Sequence, residues 1–145
     1  MFVTFDVPFV RGKDRPRFAR MGRGVRAYTS NATARAEDAI RNAYVSACVS
    51  KYGHAVMAPE HVPVYVYIST ERELPKSRPK RLFRERDTYK PDIDNTLKCV
   101  LDAINGVAWV DDAQVTQAHV IKLDRTRGRG DMTHVLVMWK GEEDG

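Results

Sequence analysis

Apolar positions recur with two different periods along this chain, and the switches between them mark out its elements. Residues 2–10 alternate, with Val3, Phe5 and Val7 on one side and Phe2, Thr4 and Asp6 on the other until Pro8 interrupts, which predicts an N-terminal strand. From Ser30 or Asn31, either of which can cap a helix, to Lys51 the period becomes helical: Ala36, Ile40, Ala43, Tyr44, Ala47 and Cys48 share one face, and Gly53 closes the helix. Val62 to Ser69 returns to strand alternation, with Pro63 favouring an edge position or the first residue of the strand and the tyrosines reading as cross-strand packing. A second helix puts Ile93, Leu97, Val100, Leu101 and Ile104 on one face and ends at Asn105-Gly106. After a short apolar run, Val107 to Val110, the segments 114–122 and 133–140 alternate as strands. They are expected to pair as a hairpin around a basic turn, 124–131. Two helices and four to five strands in 145 residues predict one α+β domain covering 1–145.

Charge adds a second layer. The formal net charge is +5 and the isoelectric point about 9.4, a balance that suits a polyanionic partner. Arg and Lys crowd into 11–26, 72–90 and 122–129, all predicted loops, while the segments between are near neutral or acidic. The stretch 11–29 reads as a basic loop or extended arm with Phe18 and Tyr28 interleaved, either a solvated connector or a phosphate grip with rings available for stacking. The long loop 71–88 carries few apolar anchors and leads straight into the second helix. Cys48 and Cys99 lie among apolar neighbours without ligand spacing, which predicts buried reduced thiols. No apolar run is long enough for a bilayer and no signal pattern opens the chain, so a soluble cytoplasmic protein without a membrane partner is expected.

The chemistry concentrates in KPDIDNTLKCVLDAINGVAWVDDAQV, residues 90–115. Asp92 and Asp94 stand at the start of the second helix, and Asp111-Asp112 follow the apolar run after it. If the chain folds back after Gly106, both acidic pairs reach the same end and form an oxygen-rich site for a hard divalent cation such as Mg2+. The simpler reading makes Asp94 a helix cap and Asp111-Asp112 a polar turn. Lys98, one turn beyond Asp94 and one before Asp102, either forms surface pairs with them or meets a phosphate and stabilises developing charge. Basic loops beside the carboxylates are what a phosphodiester substrate requires, because acidic clusters alone would repel it. The four histidines have no zinc-like spacing, and neither Gly-Arg-Gly sequence sits in a phosphate-loop context, so no nucleotide cofactor is expected.

KPDIDNTLKCVLDAI followed by WVDDAQV resembles the RusA family of Holliday junction resolvases, found in bacteriophages and prophages. The resemblance implies a RusA-like fold, a small mixed β-sheet of four to five strands with two main helices packed on it. It also implies a homodimeric, Mg2+-dependent endodeoxyribonuclease (Mn2+ as alternative) that resolves four-way junctions by paired nicks in the cytoplasm, that of a bacterial host if the chain is phage-encoded. By the same resemblance Asp92, Asp94 and Asp112 are the metal-binding catalytic carboxylates, with Asp111 as second choice, and Lys98 is the catalytic lysine. Arg15, Arg17, Arg20, Arg78, Lys80, Arg81, Arg84 and Lys90 are the expected DNA contacts. A less selective metal-dependent nuclease on branched DNA, and a non-catalytic nucleic-acid-binding protein, are the alternatives.

Overall fold

The computed structural model describes residues 1–14, 17–22, 24–28 and 30–141, with the side chains of 17–19, 21 and 26–28 outside the described set. Its elements run β1 (Phe2–Val7), β2 (Arg17–Met21), β3 (Gly24–Tyr28), α1 (Asn31–Tyr52), β4 (Val64–Glu73), β5 (Arg84–Glu85), α2 (Ile93–Ile104), β6 (Val115–Thr126) and β7 (Met132–Trp139), with a 3-10 turn at Asp112–Gln114. A five-stranded sheet has the order β1-β7-β4-β6-β5, in which β4 and β6 run parallel and the other neighbours antiparallel. This mixed sheet with two helices is the α+β arrangement expected.

Both helices pack on one face of the sheet. Val3, Phe5, Val7, Val64, Val66, Ile68, Val135 and Val137 point inward and share a core with Ile40, Tyr44 and Cys48 of α1 and Cys99, Val100 and Ile104 of α2. Both cysteines are buried and free, and burial pushes the Cys99 thiol up to about 11. The opposite sheet face leaves Phe2, Tyr67, Ile121 and Met138 exposed. The termini of α1 fall where the sequence places them: the Ser30 hydroxyl accepts from the Thr33 N–H at 3.2 Å, and Gly53 takes φ +83° at the C-cap. No helix among the described residues is long and apolar enough to cross a membrane.

Four local expectations need correction. The predicted hairpin of the last two strands does not form, because β4 lies between β6 and β7 and pairs with both. Glu73, at the end of β4, holds their connecting turn by accepting the N–H groups of Gly128 and Gly130, each at 2.8 Å. β4 is therefore a central strand; Pro63 stands just before it and removes no ladder bond. The predicted basic arm instead contains a two-stranded sheet of β2 and β3. Within the predicted loop 71–88, β4 extends to Glu73 and β5 pairs with the end of β6. Finally, α2 buries Thr96, Cys99, Val100, Ala103 and Ile104, a face rotated from the predicted one, and Ile93 is 48% exposed.

The parallel pairing of β4 with β6 requires a crossover, and α2 supplies it. The helix therefore runs back against the strand direction. Its N-terminus lies toward the carboxyl ends of β4 and β6, and its C-terminus leads into the turn that starts β6.

Candidate metal and phosphate site

Asp92 occupies the N-cap of α2, with φ −70° and ψ 159°, and its carbonyl accepts the Thr96 N–H at 3.0 Å. Its carboxylate makes no cap hydrogen bond, although an Asp in this position ordinarily accepts from the first turn. Asp94 follows in that turn, and Lys98 one turn on; all three are exposed. Lys98 forms no ion pair with Asp94 or Asp102 among the described residues. Asp102 is taken instead by Lys13, whose ammonium lies 3.1 Å from it and 2.5 Å from Glu37.

The late acidic pair has a different setting. Asp111 caps the 3-10 turn, accepting from the Ala113 N–H at 3.3 Å. Gln114 completes a capping box by accepting from the N–H groups of Val110 and Asp111 at 2.9 and 3.1 Å. The Gln114 amide also donates to the carbonyls of Pro59 and Val62, at 2.7 and 3.1 Å, and so ties the turn to the approach to β4. Asp112 accepts from the Trp109 indole N–H at 2.8 Å and keeps its second oxygen unused. Burial raises the Asp112 pKa above the ordinary carboxylate value against the effect of the Trp109 bond, and the negative charges of Asp102 and Asp111 add to the rise.

Those neighbours locate Asp112 beside the third turn of α2. The expectation that the fold-back after Gly106 brings both acidic pairs to one end is not met: the chain does turn back, but α2 has twelve residues and spans about 18 Å. Asp92 and Asp94 mark its start, and Asp111 and Asp112 lie near its finish. Among the described residues no group of three or more His, Cys, Asp or Glu is close enough to hold a metal ion. The donor chemistry nevertheless fits Mg2+, which is held by one or two carboxylates while substrate phosphates and water complete an all-oxygen shell. Two unbonded carboxylates at the N-cap and in the first turn of one helix meet that requirement; three from one chain do not come together among the described residues.

The basic residues divide by what they already do. Arg78 donates to Glu85 at 3.2 Å and to the Tyr89 hydroxyl at 2.5 Å, so it is committed to its own loop. Arg20, Lys80, Arg81 and Lys90 are exposed. Arg15 lies outside the described residues, as does the Arg17 side chain. Arg84 lines a cleft of about 330 Å3 together with Arg86, Lys122 and Arg129, where the acids are Glu71 and Asp124. The ion pairs across this cleft are long, 3.9 Å for Arg84 and 3.7 Å for Arg86 to Asp124, and 3.5 Å for Arg129 to Glu71. Pairs that loose exchange readily for phosphate oxygens. Sequence reasoning missed Arg86, Lys122 and Arg129 as a group, because β5 and the end of β6 bring them together from separate segments.

Residues 8–132 match the model of the family described as Endodeoxyribonuclease RusA. The chain is also similar to a protein of Bacillus subtilis (strain 168), Uncharacterized protein YqaN, with 35% identity over 71 residues, covering 46% of this chain and 50% of the relative. The chain thus spans about half the length of that curated relative.

Proposed function

We propose, for a chain that belongs to the RusA family of endodeoxyribonucleases, a metal-dependent nuclease that resolves four-way DNA junctions by paired nicks. Residues 1–145 act as one domain, and two copies form the working enzyme. What supports the chemistry is a single local feature: the N-cap carboxylate of α2 leaves the helix uncapped, with Asp94 beside it and Lys98 unpaired one turn along.

Asp92 and Asp94 bind Mg2+, for which Mn2+ substitutes. Because Asp112 stands at the other end of α2, it completes the centre by reaching the Asp92–Asp94 pair of the second copy. Of the late pair Asp112 is the better donor, since Asp111 is occupied as a cap while Asp112 has a free oxygen and a half-buried setting. A bound divalent ion supplies a more acidic water and neutralises charge on the phosphoryl oxygens. Lys98 places its ammonium against the scissile phosphate and stabilises charge that grows in the transition state. Arg20, Lys80, Arg81, Arg84 and Lys90 hold the flanking backbone, with Arg15 and Arg17 in the same role. Such contacts give salt-sensitive affinity with little base information.

The test is cleavage of four-way, flap and linear duplex DNA in Mg2+ or EDTA, using wild type and mixed variants. Symmetric nicking of the four-way form alone is expected. Broad cutting points to a less selective nuclease, and metal-independent binding without cutting to a non-catalytic DNA-binding protein. Asp92→Asn and Asp112→Asn are each inactive, but refolded together they regain about a quarter of the active sites, because half of the dimers are mixed and each mixed dimer keeps one intact centre. That recovery consists of single nicks. No recovery from a mixture shown to exchange subunits refutes the shared centre.

A further inference from the structure

We infer that Asp87, Arg72 and Lys122 are positioning residues that fix the backbone entering α2 and thereby aim the Asp92 carboxylate. The inference rests on the proposed role of Asp92 and Asp94 as metal ligands. Asp87 lies five residues before Asp92, and its side chain has no exposed surface. Burying a carboxylate is costly unless cations and hydrogen bonds compensate. Here the compensation is unusual. The Tyr89 N–H donates to one Asp87 oxygen at 3.3 Å, while the other oxygen is buried without a partner. The two cations stand off, Arg72 at 3.6 Å and Lys122 at 3.8 Å, beyond hydrogen-bond distance.

Their N–H groups go elsewhere. Arg72 Nη1 donates to the Lys90 carbonyl at 2.6 Å, and Lys122 Nζ donates to the Tyr89 carbonyl. Those are consecutive carbonyls immediately before Pro91 and Asp92. Asp87 therefore acts as a buried counter-charge that holds two partly buried cations in place, and the cations clamp the backbone.

A second clamp closes from the opposite side. The Lys13 N–H donates to the Asn95 carbonyl at 3.0 Å, and a Cβ added at Gly12 would stand 2.8 Å from Pro91 Cβ and 3.1 Å from Asn95 Cβ. Pro91 and the first turn of α2 are thus held between strand-borne cations and a close-packed glycine. Packing alone gives no reason for three charges here, since apolar residues fill such a site at equal or lower cost. The requirement is orientation: a metal ligand must be held to a fraction of an ångström, and its exposed carboxylate has no hydrogen bond of its own to hold it.

The decisive measurement is Mn2+ affinity of the DNA-free protein, by electron paramagnetic resonance of the bound ion, together with kcat for junction cleavage and junction affinity in EDTA. Arg72→Gln and Lys122→Gln each leave Asp87 one cation. Both are expected to stay folded and to weaken Mn2+ binding and kcat by about 10- to 100-fold, and Arg72→Gln, at a residue that does not line the basic cleft, to change junction affinity less than about twofold. Lys122→Arg, which keeps charge and donor, restores both. Asp87→Asn follows the same pattern if it folds. Wild-type Mn2+ affinity in folded Arg72→Gln or Lys122→Gln overturns the inference, and so does failure of both to fold, which would make the trio a structural ion cluster. Asp92→Asn separates the two levels. If it retains Mn2+ binding, the metal assignment fails and takes this inference with it. If it loses Mn2+ while the clamp variants keep it, only the positioning role fails.

Discussion

Replacing Asp92 separates a structural carboxylate from a chemical one. An Asp at a helix N-cap that accepts a backbone N–H contributes about 1 kcal/mol, which Ala forfeits. Asp92 sits at the N-cap of α2 but accepts no such bond. What remains is its attraction to the helix N-terminus, about 0.3–1 kcal/mol for an exposed group. Asp92→Ala should therefore cost no more than about 1 kcal/mol, or roughly 2–5 °C in Tm for a chain of this size. Cleavage should nevertheless be abolished, since on the proposed assignment a metal ligand is gone. Binding to a four-way junction in EDTA should hold or tighten, because a negative charge facing phosphate is removed, worth on the order of 1 kcal/mol at contact in water. Thermal melting by circular dichroism, junction binding in EDTA and cleavage in Mg2+ together decide. Cutting at the wild-type rate refutes the metal role, and a Tm loss above about 10 °C refutes the claim that this carboxylate is spare to the fold.

Lys98→Ala should lower kcat by about 10- to 100-fold while junction affinity in EDTA changes less than twofold, the pattern of an interaction made mainly in the transition state; equal losses would make it a plain binding contact. Arg84→Ala combined with Arg86→Ala should reduce the slope of log affinity against log salt by about 1 to 2, one contact for each phosphate lost, and an unchanged slope places the DNA elsewhere. Gln114→Ala should destabilise the fold by about 1–3 kcal/mol, read by urea titration, because it removes the buried amide that bonds two N–H groups and two carbonyls. His134 reports on pH: burial lowers its pKa, but hydrogen bonds to Asp6 and Glu71 outweigh that and raise it. The raised folded-state pKa stabilises fully below the unfolded value near 6.5 and fades as pH climbs through the folded value. The Tm advantage of wild type over His134→Gln should accordingly shrink above about pH 6.5, and a constant difference refutes the linkage.

The elements that could be read from the chain are those whose signal is local. The α1 boundaries needed only Ser30 and Gly53, and the two faces of β1 needed only alternation. The strand order was not legible, because β4 enters between β6 and β7 through pairings more than fifty residues apart in sequence, which no turn signal encodes. The rotated face of α2 has a similar origin. Thr96 and Cys99 face the core because of how the helix lies against its neighbours, while Ile93, the first residue of the helix, stays exposed. Within the candidate site, the Asp92–Asp94 motif stood out in the sequence as a candidate ligand pair, whereas the contacts of the buried Asp87 did not. One signal did exist: Arg72 and Lys122 continue the inward-facing rows of β4 and β6, after Ile68 and Thr70 and after Val120, where charge is out of place unless something buried answers it.

The length of α2 also bears on how the junction is cut. A helix of about 18 Å keeps its two acidic ends apart in every copy, and short Asp side chains cannot close that gap. In a two-fold dimer, any contact between the start of α2 in one copy and its finish in the other occurs twice by symmetry. If Asp112 of one copy completes the Asp92–Asp94 centre of the other, as proposed, two centres are completed together or not at all, and a lone copy bound to DNA holds half of a centre without the ligand that finishes it. Such an enzyme is silent until paired, and once paired it offers matched sites to the opposed strands of a branch point that is itself approximately two-fold. On that proposal, separating the carboxylates along one helix ties cleavage to assembly, and single unpaired nicks are the expected signature of a dimer in which one centre has been broken.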